Sequence, residues 1–195
     1  MSSAPKLAFI SGSIRTDAAH VKLAQLACKT AGDMGADAHY VDLADYELPI
    51  YNGDLEQAEG VPENAKSLAE KLAGFGGVFI ASPEYNGGLS PLLKNTIDWL
   101  SRIGDVAGTG QNVFQNRVFA IGSAAASEMG GVRGLIVLRQ VLAVSLGATV
   151  TGSQVQISGA NKAFNEDGSL KDENRKKFLD MNMRKFVDVA AKMKG

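Results

Sequence analysis

Two short stretches of the chain carry residue types that could grip a charged, ring-bearing ligand. The first is Ser11-Gly12-Ser13-Ile14-Arg15-Thr16, which follows an apolar run and leads into a helical pattern. Gly12 lets the backbone turn tightly and come close to a ligand. The hydroxyls of Ser11, Ser13 and Thr16 join the free amides and positive dipole end of a starting helix, a combination that favours an anion. Arg15 adds a planar fork that matches phosphate oxygens. The stretch holds no Gly-Lys-Ser/Thr and no G-x-G-x-x-G, so it suits a terminal monophosphate better than a triphosphate or a dinucleotide pyrophosphate. Asp42 could serve as a ribose-binding acid, but with no glycine fingerprint before it a loop or cap role is expected.

The second stretch is Ser82-Pro83-Glu84-Tyr85-Asn86-Gly87-Gly88, followed by Leu89-Ser90-Pro91 and a helical pattern reaching Trp99. Pro83 fixes one φ angle, Gly87 and Gly88 admit conformations closed to other residues, and Asn86-Gly87 is a strong turn signal. Tyr85 is therefore expected on a stiff loop beside backbone amides. A flat heteroaromatic such as isoalloxazine needs such a site: an apolar face, and hydrogen bonds along its rim. A phosphate grip and a ring platform together point to flavin mononucleotide (FMN). Taken singly, the first stretch could also be a polar loop capping a helix, and the second a turn whose Tyr packs locally.

For the two to meet, the elements that carry them must end at one edge of one sheet. Five short apolar runs recur: Lys6–Ser11, Ala38–Asp42, Gly77–Ser82, Arg117–Gly122 and roughly Thr149–Ile157. The third and fourth are apolar at successive positions, as in parallel strands buried on both faces. Helical patterns separate them. One is capped by Thr16 or Asp17 and runs to about Met34, and another opens at Pro62. Leu93, Ile97 and Leu100 mark a third, Leu135, Leu138, Leu142 and Leu146 a fourth, and Leu179 to Met193 a fifth. Alternating β and α elements predict an α/β fold in three layers, with a five-stranded parallel sheet of order 2-1-3-4-5 and helices on both faces. In such sheets ligands bind beyond the carboxyl ends of the strands, where both stretches would lie.

Composition narrows the partners. In 195 residues, 20 Lys and Arg balance 21 Asp and Glu for a net charge of −1. There is thus no basic footprint for nucleic acid and no polybasic patch for a membrane. One cysteine, Cys28, and two histidines, His20 and His39, leave no disulfide and no conventional metal site. Cys28 reads as a core thiol and His39 as structural. The start of the chain lacks a cationic and apolar leader, and no apolar stretch approaches membrane-spanning length, so a cytoplasmic protein is expected.

Gly12-Ser13-Ile14-Arg15, Pro83-Glu84-Tyr85-Asn86-Gly87, Lys94-Asn95-Thr96-Ile97-Asp98-Trp99 and Gly130-Gly131-Val132-Arg133 together resemble the NADPH-dependent FMN reductase family. This is a flavodoxin-like group that includes quinone, azo-dye and chromate reductases. The resemblance covers most of the chain and implies one flavodoxin-like FMN-binding domain over residues 1–195. It places the FMN phosphate at Ser13 and Arg15 beside Ser11, and the ring against Pro83, Glu84, Tyr85, Asn86 and Gly87, with Ser123 near the ring. It also implies NADPH or NADH as co-substrate, a small-molecule acceptor, and a homodimer or homotetramer. Where the family commonly carries Ser and Asn, this chain has Ala18 and His20; His20 could still donate to phosphate, but a weaker grip is expected. The activity implied is a two-step exchange in which the nicotinamide and then a quinone, flavin, azo or metal-oxyanion acceptor use the same face. No catalytic side chain is assigned, because the flavin carries the chemistry. The alternative is a flavodoxin-type electron carrier without nicotinamide turnover, which the near-neutral charge disfavours.

Overall fold

In the computed structural model, residues 4–193 are described. The start of the chain, on which the leader reading rests, therefore lies partly outside them. The strands are β1 (Lys6–Ser11), β2 (Asp37–Val41), β3 (Gly77–Ala81), a small pair β4 (Glu84–Tyr85) and β5 (Gly88–Leu89), β6 (Val118–Ala124), β7 (Thr149–Val150) and β8 (Val155–Ile157). The α-helices are α1 (Ala19–Asp33), α2 (Gly53–Glu59), α3 (Glu63–Ala73), α4 (Pro91–Ser101), α5 (Val132–Arg139), α6 (Ala160–Ala163) and α7 (Glu173–Met193). The main sheet is parallel in the order β2-β1-β3-β6-β7, with β8 also on β6. Counting β6 as fourth and β7 with β8 as fifth, this is the expected flavodoxin-like order.

Side chains along β1 alternate between two cores, because successive strand residues face opposite ways. Leu7 and Phe9 pack with Leu23, Ala27, Met183 and Phe186 from α1 and α7. Ala8 and Ile10 pack with Leu68, Leu72, Leu93, Ile97, Leu135 and Leu138 from α3, α4 and α5. Helices α1 and α7, with α6, thus cover one face and α3, α4 and α5 the other. Phe9 meets Phe79 at 5.8 Å and Phe186 edge-on at 6.1 Å, which ties β1, β3 and α7 together.

Several details differ from the expectation. α1 starts at Ala19 rather than at Thr16 or Asp17, and no side chain caps it. The chain instead makes a turn in which Ala18 N–H bonds Arg15 O at 3.1 Å and Asp17 takes a φ of 57°. The fifth strand is two pieces. Thr149 and Val150 pair with the start of β6, Val155 to Ile157 with its end, and residues 151–154 detour between them. Arg139 holds that detour, donating to Thr151 O at 2.7 Å and to Gln154 Oε1 at 3.4 Å. Gly152 and Ser153, poor strand residues, lie at the break. The leucine pattern after α5 continues not as α-helix but as a π-helical stretch, Gln140–Ser145, which buries Leu142. Cys28 packs against the α1–α7 core yet is only half-buried, with burial raising its thiol pKa. His39 is half-buried, its ring edge-on to Phe75, and bonded to Asp37, and Asp42 caps a single 3-10 turn by accepting from Ala44 N–H at 3.0 Å.

Candidate functional site

The loop after β1 folds back on itself through its own hydroxyls. Ser11 Oγ accepts from Ser13 N–H at 3.1 Å, and Ser13 Oγ accepts from Arg15 N–H at 3.3 Å. Gly12 N–H bonds Ala81 O of β3 at 2.8 Å, which brings the loop against the second stretch. A Cβ at Gly12 would lie 2.9 Å from Pro83 Cδ and 3.2 Å from Ser90 Oγ, so the close approach requires glycine. Ser90 fastens the two stretches together: its hydroxyl donates to Gly12 O at 2.6 Å and accepts from Leu93 N–H at 3.2 Å, capping α4.

The second stretch is a tight hairpin, β4 paired antiparallel with β5. Asn86 (φ 52°) and Gly87 (φ 78°) form its two-residue turn, both in the left-handed geometry such turns require. Glu84 anchors it to α5. Its side chain is only 6% exposed and accepts from Arg133 Nε at 2.8 Å and from Gly134 N–H at 3.1 Å. Burial pushes its pKa up, but the Gly134 amide and Arg133 outweigh that, and the net shift is downward. Tyr85 stands free at 52% exposure.

The Lys94–Trp99 segment is scaffolding beside the site. Asn95 accepts from Tyr51 N–H and donates to Pro49 O, and Trp99 Nε1 donates to the same carbonyl at 2.7 Å. The chain following β2 is thereby strapped to α4. Arg102 donates to Glu56 at 2.8 Å, so this arginine and Arg133 are both engaged by carboxylates.

Between the two stretches lies an open cleft of about 280 Å³. Six of the expected residues line it: Ser13, Arg15, His20, Pro83, Glu84 and Tyr85. Ser11 does not; it is buried and spent on the loop's own backbone. Asn86 and Gly87 lie at the hairpin turn and do not line it either. Ser123 is fully buried behind the wall, its Oγ 3.3 Å from His20 Nε2. The wall also includes Ala124 at the end of β6, Ala125 and Ala126 after it, and Ala160 with Asn161 of α6. No local motif announces Asn161, which arrives from the far end of β8.

The electrostatics suit an anion. His20 is held neutral at ordinary pH, its pKa lowered to about 4 by burial and secondarily by Arg15. Positive charge in the cleft therefore rests on Arg15, which forms no ion pair among the described residues. The first-turn amides of α1, left without a side-chain cap, supply donors and the positive end of a 15-residue helix. A phosphate fits this corner, and the exposed Tyr85 and the Pro83 ring offer an apolar platform beside it. The residues present thus fit FMN, with Ser13, Arg15 and the α1 amides toward the phosphate and the hairpin toward the ring.

Comparison with known proteins identifies the family. The family model described as NADPH-dependent FMN reductase matches residues 5–162. A quinone reductase of Escherichia coli (strain K12) is 33% identical over 150 residues, 76% of each chain. An NAD(P)H-dependent FMN reductase of Pseudomonas aeruginosa is 28% identical over the full length of both chains. Among solved structures, the flavoenzyme NAD(P)H:(acceptor) oxidoreductase FerB of Paracoccus denitrificans superposes with a TM-score of 0.79 at 27% identity, covering 97% of this chain and 99% of its own. A cleft at the carboxyl ends of β1 and β3, lined by Arg15 and by Pro83 to Tyr85, and a family match running through both stretches lead to one assignment: this chain belongs to the NADPH-dependent FMN reductase family.

Proposed function

We propose that the chain passes electrons from NAD(P)H through FMN to a small acceptor, with quinones as the first class to test and flavins, azo compounds and metal oxyanions after them. The observation that carries this reading is the single open cleft in which Arg15 and the uncapped start of α1 face the Pro83–Tyr85 platform. When bound, FMN supplies the redox chemistry, and the protein contributes binding, orientation and electrostatics. Arg15 and Ser13 hold the phosphate. Pro83 and Tyr85 seat the ring, and the Glu84–Arg133 pair keeps their hairpin fixed on α5. An open cleft admits nicotinamide and acceptor in turn over the same face. Arg102 and Arg133 are already paired with Glu56 and Glu84, so neither is a free clamp for a nicotinamide 2′-phosphate.

The reading also has the chain working as a homodimer or homotetramer. Ile136 and Val144, on α5 and the π-helical stretch, are exposed apolar side chains of the kind a second copy would cover. Light scattering on the purified protein measures this directly. No helix among the described residues is long and apolar enough to cross a membrane.

The decisive experiment is the visible spectrum of the protein with added FMN, followed by NADPH and then a quinone, all without oxygen. Protein-bound flavin that bleaches with NADPH and recolours with quinone supports the proposal. Bound flavin that stays oxidised refutes nicotinamide turnover and returns the electron-carrier reading, and absence of binding refutes the FMN site.

A further inference from the structure

The contact between His20 and Ser123 bridges two elements that are 103 residues apart in sequence, at the back of the phosphate corner. Ser123 is fully buried near the end of β6. The only hydrogen-bond partner of its Oγ among the described residues is His20 Nε2 at 3.3 Å. Gly131 presses on its other side, so closely that a Cβ there would lie 2.0 Å from the Oγ. A buried hydroxyl needs an acceptor for its proton. If Nε2 carried the imidazole proton, Ser123 would have none. If Nε2 is bare, the hydroxyl donates to it and both groups are satisfied. A neutral imidazole with a bare Nε2 holds its proton on Nδ1.

Nδ1 has no protein partner among the described residues, and the ring lines the cleft beside Ser13 and Arg15. The nearby position 18, an alanine buried at the N-cap of α1, offers no hydroxyl. Building on the FMN reading above, we propose that Ser123 is a positioning residue acting through His20: its hydroxyl fixes the Nδ1–H tautomer, and Nδ1–H donates to the phosphate of FMN. Burial and Arg15 keep the ring neutral, so it serves as a donor without adding charge. The other ionised group lining the cleft, Glu84, is occupied by Arg133 and the Gly134 amide.

The test has two arms. Only two histidines are present, so imidazole 15N shifts of the full-length apoprotein can be assigned with a His39→Gln control. Wild type is expected to show His20 as Nδ1–H, and Ser123→Ala to show a mixture or the Nε2–H form. A wild-type Nε2–H ring overturns the proposal. In the second arm the apoproteins are titrated with FMN and with riboflavin, which lacks the phosphate. Ser123→Ala is expected to weaken FMN about three- to tenfold, the scale of one neutral hydrogen bond, and to leave riboflavin unchanged. In a His20→Ala background the same change should cost nothing more, since Ser123 acts through the imidazole. Equal losses for FMN and riboflavin, or effects of the two variants that multiply, overturn it. Wild-type protein that binds neither ligand refutes the FMN reading itself, and removes the phosphate role whatever the tautomer.

Discussion

An alanine at position 131 would push a methyl group into the hydroxyl of Ser123, and the structure supplies an internal control for the size of the effect. Gly131 and Gly87 have nearly the same positive φ, 83° and 78°. Around Gly87 a new Cβ meets nothing within 4 Å; at Gly131 it would lie 2.0 Å from Ser123 Oγ and 2.7 Å from Ser123 Cβ. Left-handed backbone alone costs an L-residue about 1–2 kcal/mol, the whole expected penalty of Gly87→Ala. Gly131→Ala adds about 1–3 kcal/mol of overpacking in a fully buried place and about 1 kcal/mol for the displaced Ser123–His20 hydrogen bond. At about 2–4 °C per kcal/mol for a chain of this size, Gly87→Ala should lower the melting temperature by about 2–8 °C and Gly131→Ala by about 6–24 °C. Adding Ser123→Ala to Gly131→Ala should recover only part of the loss, because the Cβ–Cβ contact remains. Thermal melts of the apoproteins followed by circular dichroism measure all of these. If Gly131→Ala and Gly87→Ala melt within about 2 °C of each other, the wedge of Ser123 between α5 and His20 is wrong.

Arg15→Gln should weaken FMN about five- to thirtyfold in a fluorescence titration, a charge-assisted bond discounted for the exposure of Arg15, and should leave riboflavin unchanged. The wild-type preference for FMN should shrink at high salt. Burial and Arg15 hold folded His20 near pKa 4, against 6.5 for a free imidazole. The unfolded chain therefore takes up this proton first as pH falls, and the stability present above pH 6.5 is lost between 6.5 and 4. That amounts to about 2 kcal/mol between pH 7 and 5, read as the difference in urea unfolding between wild type and His20→Gln. Ser90→Ala removes the cap of α4 and leaves Gly12 O without that donor, for an expected loss of about 2 kcal/mol in the same assay.

Much of this molecule is legible in its sequence because its layers rest on simple periods. Leu7 and Phe9 against Ala8 and Ile10 announce a strand buried on both sides, and Leu179, Met183, Phe186 and Ala190 a helix with one apolar face. Other features follow from closure in three dimensions. Thr16 and Asp17 have capping chemistry, but a left-handed turn at Asp17 moves the start of α1 to Ala19. Asn86-Gly87 reads as a turn, whereas its two-residue strands owe their place to Glu84 gripping α5 from 49 residues away. The single run expected over Thr149–Ile157 breaks at Gly152-Ser153, where a glycine inside a strand pattern weakens the strand. At the site, the two loops are local motifs and so could be read. Asn161 and the Ser123–His20 contact are set by topology, and no spacing along the chain encodes them.

The broken fifth strand also bears on how the protein behaves in a crowd of its own copies. A parallel sheet ending in a long straight edge offers unpaired amides and carbonyls to any neighbouring strand. Here that edge is two residues of β7, a four-residue detour pinned by Arg139, and three residues of β8. An incoming strand meets no register longer than three residues, too short to nucleate sheet extension. The detour thus guards this edge against pairing with the edge of another copy, whereas the opposite edge, β2, keeps five continuous residues.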